Sequence, residues 1–124
     1  MADHRPLVVT MGEPAGIGGD IALAAWAARD VPGFFVIDDA DRLRRLADRL
    51  GLEVPIMPID APEQASAVFA TALPVLHRPL AAPAIAGRPD PANGEAVIAA
   101  IAEAVRLASE SLLNHKKEFA PVGE

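Results

Sequence analysis

The segment Gly12-Glu13-Pro14-Ala15-Gly16-Ile17-Gly18-Gly19-Asp20 is the one whose composition packing alone explains poorly. Glycines permit positive φ and let a ligand approach the backbone. A helix that follows such a loop aims its first N–H groups at whatever occupies it, which favours an anion or a dinucleotide. The same residues also suit a tight strand-to-helix turn without ligand, and spacing alone leaves both open.

Other groups that could do chemistry have simpler readings. His4, His77 and His115 lie far apart, without the spacing by which imidazoles share a metal, and read as surface histidines. Asp38, Asp39 and Asp41 precede a helix and read as cap and dipole partners, since the glycine and terminal glutamate of a calcium loop are missing. Arg42, Arg44, Arg45 and Arg49 form a basic face open to phosphate. Asp41 and Asp48 dilute it, and the solvated outer face of a helix accounts for it. Trp26 reads as core, and Ser66, Ser109 and Ser111 have no recognisable triad partners.

The elements that must position the loop follow from periodicity. Leu7-Val8-Val9-Thr10 is apolar on both faces, as in a buried parallel strand, and runs into the glycines; from Asp20 to Ala28 the composition is helical, and Val31-Pro32-Gly33 stops it. Phe34-Phe35-Val36-Ile37 predicts a second buried strand, and Asp38-Asp39 a turn and N-cap. Leu43, Leu46, Ala47 and Leu50 then predict a helix up to Gly51. Val54 to Ile59 predicts a third strand, which Pro55 and Pro58 confine to an edge. Glu63 to Leu73 predicts a short helix, and the proline-rich stretch Pro74 to Pro91 an extended surface crossing. Asn93 reads as the N-cap of a last helix carrying Val97, Ile98, Ile101, Val105 and Leu107 and ending near Ala108 or Ser109. The stretch from Leu112 to Glu124 reads as a frayed tail.

Two families resemble this pattern. The spacing Gly12, Gly16, Gly18, with Asp38 about 20 residues on, is similar to the Rossmann turn of short-chain dehydrogenases. Their Tyr-x-x-x-Lys is impossible here because the chain has no tyrosine, and Pro14 is awkward in that loop. The fuller string from Thr10 to Asp20 resembles the T-x-G-E-P-A-G-I-G-P-[ED] signature of 4-hydroxythreonine-4-phosphate dehydrogenases, with Glu-Pro-Ala kept between the glycines. Phe35-Val36-Ile37-x-Asp39 before a basic helix, the proline-rich segment and Asn93-Gly94 follow in the family's order, so the resemblance runs over roughly residues 6 to 108. Two positions depart from it. Gly19 stands where the family usually has proline, and Asp38 where it usually has glycine ahead of the aspartate.

The resemblance implies an α/β fold, part of an isocitrate/isopropylmalate-dehydrogenase-like fold with a mostly parallel sheet. Residues 1–108 would form its amino-terminal portion and 109–124 a non-matching, disordered tail. It implies NAD(P)-dependent oxidation and decarboxylation of 4-phosphooxy-L-threonine, a phosphorylated hydroxy amino acid, in pyridoxal 5'-phosphate synthesis. The whole family enzyme would be a homodimer using NAD or NADP and a divalent metal (zinc, magnesium or cobalt). Gly12, Glu13, Ala15 and Gly16 would line the cofactor cleft. The family's metal-binding histidines and phosphate-gripping basic residues have no match here, so no catalytic or metal-ligating residue is assigned. The chain alone is expected to be inactive and to bind no cofactor; a degenerate fragment or dimerisation module is the alternative.

Bulk composition is consistent with this. The chain of 124 residues is 52% hydrophobic, enough for one core, and its net charge of -6 without a basic stripe excludes nucleic acid as the expected partner. Absence of cysteine suits a reducing compartment, the cytoplasm. Neither a signal peptide nor a membrane span is expected, because the apolar run Leu7 to Val9 is short.

Overall fold

The computed structural model describes residues 6–29 and 32–118. Strands β1 (Leu7–Thr10), β2 (Phe34–Asp38), β3 (Ile56–Ile59) and β4 (Leu73–His77) form one sheet in the order β1-β2-β4-β3, with all three pairings parallel. Parallel neighbours need crossovers. Helix α1 (Gly18–Ala28) joins β1 to β2, and α2 (Ala40–Leu50) joins β2 to β3. A 3-10 turn (Pro62–Gln64) and the short α3 (Ala65–Phe69) join β3 to β4. A second 3-10 turn (Pro91–Asn93) then leads into α4 (Gly94–Glu118).

Alternation along the strands divides the core into two layers. Phe34, Val36, Leu73 and Val75 pack with Leu23 and Trp26 of α1 and Leu43 and Leu46 of α2. Phe35, Ile37, Ile59 and Leu76 point the other way, toward Met11, Ala65 and Ala100. Every residue of β2 is buried, as its unbroken apolar run predicts. Helix α2 presents Leu43, Leu46 and Ala47 inward at helical spacing and ends at Gly51, whose N–H reaches the Ala47 and Asp48 carbonyls. Trp26 is core, as expected, and its Nε1 donates to the Phe69 carbonyl at 2.8 Å. No described helix is long and apolar enough to cross a membrane.

Four expectations need correction. β1 is not buried on both faces: it is the sheet edge, with only β2 beside it, and Leu7 is 59% exposed. β3 is the other edge, as its prolines require.

The helix expected over Glu63 to Leu73 stops at Phe69, and the stretch expected to cross the surface begins instead as the central strand β4. Pro74 is tolerated there by register. Leu73 N–H bonds the Pro55 carbonyl on the β3 side, so position 74 faces β2, and pairing with β2 begins only at Val75. The N–H that proline lacks is therefore not needed.

Helix α4 passes Ala108 and Ser109 and continues to Glu118. Nothing from Ser109 onward is glycine or proline before that point, and Arg106 pairs with Glu110 one turn on. Of the expected tail, residues 119–124 lie outside the described residues, as does His4.

Candidate functional site

In an open parallel sheet, ligands sit beyond the carboxyl ends of the strands. At that edge β1 delivers the loop 11–17, β2 delivers Asp38 and Asp39, and β4 delivers His77 and Arg78. The loop is held by its own backbone. Gly12 sits at φ +59°, a left-handed conformation that suits glycine. The Gly16 N–H bonds the Glu13 carbonyl at 2.9 Å, and the Ala15 N–H bonds Glu13 Oε1 at 3.1 Å. Helix α1 then starts with no side-chain cap, which leaves its first-turn N–H groups to solvent or a ligand.

Of the four residues expected to line a cofactor cleft, Gly12, Glu13 and Gly16 are exposed on this loop, while Ala15 is buried and contributes its backbone. The Ala15 carbonyl accepts from the Gly87 N–H at 2.9 Å, so the proline-rich segment straps across the loop. A cavity of 350 Å³ opens beside it, lined by Glu13, Asp90, Asn93, Gly94, Val97 and Ile98. That lies within the size range of small-ligand pockets. A larger hollow of 720 Å³ involves Trp26, Asp48, Val54 and Pro55, where β3 begins rather than ends, and is remote from the loop.

The aspartates divide their roles. Asp39 is the N-cap of α2, as expected: Oδ1 accepts from the N–H groups of Asp41 and Arg42, and Oδ2 from that of Leu80 at 3.0 Å. Burial pushes its carboxyl up, but those three N–H groups and the nearby His77 outweigh it and hold the acid below its ordinary 3.8. Asp38 is no cap. It ends β2 fully buried and grips Arg42 in a two-point pair, Oδ1 to Nε at 2.8 Å and Oδ2 to Nη2 at 2.9 Å. Burial raises its pKa, and the Arg42 pair offsets this only in part. An aspartate so engaged is not presented to a ribose, as the short-chain dehydrogenase spacing would require.

Three side chains matter in ways that spacing does not reveal. Arg42 is not on the outer basic face with Arg44, Arg45 and Arg49; it is 7% exposed, and its Nη1 also donates to the Pro14 carbonyl at 3.3 Å. His77 is half-buried, and its Nδ1 accepts from the Ala40 N–H at 3.0 Å. Asn93 does not cap α4: its Oδ1 accepts from the Ala82 N–H at 2.9 Å and pins the strap. The one signal for Arg42 is its position four residues after Asp38, one helical turn away. Among the described residues no three of His, Cys, Asp or Glu converge as a metal site.

Two curated proteins and two solved structures similar to this chain share one description. A Methylorubrum extorquens 4-hydroxythreonine-4-phosphate dehydrogenase is 48% identical over 111 residues, covering 86% of this chain and 32% of that protein. The chain is similar to the amino-terminal part of 4-hydroxythreonine-4-phosphate dehydrogenases. The dehydrogenase of Caulobacter vibrioides is 40% identical over 106 residues, covering 84% of the chain and 31% of its own length. The solved structure of the Burkholderia phymatum dehydrogenase superposes with a TM-score of 0.70 at 25% identity, covering 88% of this chain and 34% of that one. A Salmonella typhimurium structure of the same description gives 0.70 at 26% identity. No family model matches. The chain spans about a third of the curated relatives' length, and its parallel sheet is part of the isocitrate-dehydrogenase-like fold of these dehydrogenases.

Proposed function

We propose that this chain supplies the loop-bearing wall of the cleft in an NAD(P)-dependent dehydrogenase that oxidises and decarboxylates 4-phosphooxy-L-threonine on the way to pyridoxal 5'-phosphate. The observation that carries this reading is the glycine loop at the carboxyl end of β1, running into an uncapped α1 beside the 350 Å³ cavity. Backbone N–H groups there suit the negative charge of a phosphate or a dinucleotide. Gly12, Glu13, Ala15 and Gly16 form the contact loop, with Glu13 fixing its shape through Ala15 rather than acting as a base.

Such an enzyme family uses a divalent metal, but the residues described here do not converge to hold one, so no step is assigned to a metal on this chain. The whole enzyme would be a cytoplasmic homodimer. The chain alone is inactive in this reading, because hydride transfer needs the substrate carbinol held against the nicotinamide with a proton acceptor beside it. The test is NADH formation at 340 nm with 4-phosphooxy-L-threonine, NAD and zinc or magnesium. Joining the chain to the remaining two-thirds of a relative should give turnover that Gly16→Val abolishes; turnover by the 124-residue chain alone would overturn the division of labour.

A second reading, a non-catalytic docking module, is favoured by apolar residues left outside. Leu7 on the β1 edge is 59% exposed, and Ile98, Ile101 and Val105 form an outward stripe on α4 at 69%, 49% and 61% exposure. Size-exclusion chromatography showing a clean monomer that binds no apolar dye would rule against it.

A further inference from the structure

The two departures from the dehydrogenase signature, Gly19 and Asp38, meet at one guanidinium. Arg42 is paired at two points with Asp38 and donates its remaining Nη1 to the Pro14 carbonyl of the glycine loop. On its other side it closes the space over Gly19. A β-carbon built at position 19 would lie 3.2 Å from Arg42 Nη2 and 2.9 Å from Leu46 Cδ2, so a side chain at this first-turn residue of α1 would have to displace the ends of both. We propose that Arg42 is the positioning residue of the loop, and that Asp38 and Gly19 form a matched set with it: Asp38 neutralises and aims the guanidinium, and Gly19 makes way for it.

The geometry requires all three together. A buried guanidinium without a carboxylate would be an uncompensated charge, and a buried carboxylate without the guanidinium equally so. Only the fork of arginine spans two acceptors at once, the Asp38 carboxylate and a loop carbonyl, so lysine would not substitute for it. The Pro14 carbonyl belongs to the same peptide as the Ala15 N–H that Glu13 holds, so Arg42 fixes the loop at that peptide while Gly87 fixes it at the next carbonyl, that of Ala15. This rests on the reading of the loop as a binding wall, but its test involves no ligand, so the two can fail separately.

The experiment is amide hydrogen exchange by NMR on the 124-residue chain, with thermal unfolding alongside. In Arg42→Met the Ala15 and Gly16 amides should exchange about tenfold faster or more, beyond any change at Val36 and Val75 in the core. Arg42→Lys should not restore their protection. Gly19→Ala should be costly in the native chain and should shift the unfolding constant by about tenfold less in the Arg42→Met background, since coupled neighbours are not additive. If Arg42→Met does not fold, Asp38→Asn, which keeps the guanidinium but neutralises its partner, takes its place in both measurements. Loop amides that change only in step with the core, or additive effects of Gly19→Ala in either background, would overturn the proposal.

Discussion

Asp39→Ala should be strongly damaging at the carboxyl edge of the sheet although it leaves the hydrophobic core intact. One carboxylate there serves three backbone N–H groups from two segments, Asp41 and Arg42 at the start of α2 and Leu80 beyond β4. Loss of an N-cap costs about 1 kcal/mol. Leaving the half-buried Leu80 N–H without its acceptor adds about 1–3 kcal/mol. The sum, about 2–4 kcal/mol, is a large share of the roughly 5–15 kcal/mol that holds a domain together. Urea unfolding followed by circular dichroism reads it directly. Asp39→Asn separates the parts: it can keep Oδ1 on the helix start but turns an amide toward the Leu80 N–H, so it should lose the second contribution only. The pKa of Asp39 is lowered in the folded chain, so its stabilisation is complete above the unfolded value, 3.8, and is lost as pH falls through the folded value. Acidification below pH 4 should therefore cost the native chain more stability than it costs Asp39→Asn. Equal stability of Asp39→Ala and the native chain at pH 7 would refute this account of the junction.

Trp26→Phe should keep the ring packing but strand the Phe69 carbonyl, lowering the urea midpoint by an amount equivalent to about 1 kcal/mol. Gly94→Ala, at a helix start with nothing within 4 Å and an ordinary φ of -59°, should stabilise by about 0.4–1 kcal/mol, whereas Gly12→Ala, equally uncrowded but at φ +59°, should destabilise by about 1–2 kcal/mol. Thermal melts of the two variants check the pair, and matching signs would refute the backbone argument.

What the sequence made legible was whatever periodicity and punctuation dictate locally. β2, α2 and the Asp39 cap follow from an apolar run, a leucine spacing and a short acid before a helix. β4 was hidden because Pro74 reads as a breaker, and only pairing register shows that its missing N–H faces an unpaired stretch of β2. The end of α4 was misjudged because polarity was taken for fraying, although the residues concerned are acceptable helix formers. At the site, the glycine loop was visible from its composition. The strut beneath it was not, because Arg42 has the same type and sequence context as its exposed neighbours Arg44 and Arg45, and only the fold separates them. Burial of an arginine depends on what lies across the chain, here Asp38, Pro14 and the space over Gly19.

The titratable groups at this edge are committed to shaping the cleft wall. Glu13 is turned back on the Ala15 N–H, Asp38 is spent on Arg42, and Asp39 on three N–H groups. His77 accepts from Ala40 through Nδ1, which places the ring proton of the neutral form on Nε2 and makes that atom a donor. Each of these groups helps hold the chain at this edge in place. A wall built this way offers donors to a negatively charged ligand and holds them in place before the ligand arrives. In the function proposed above, that is the electrostatic half of the site. Under that proposal the group that takes the proton comes from the two-thirds of the fold that the relatives carry beyond this segment.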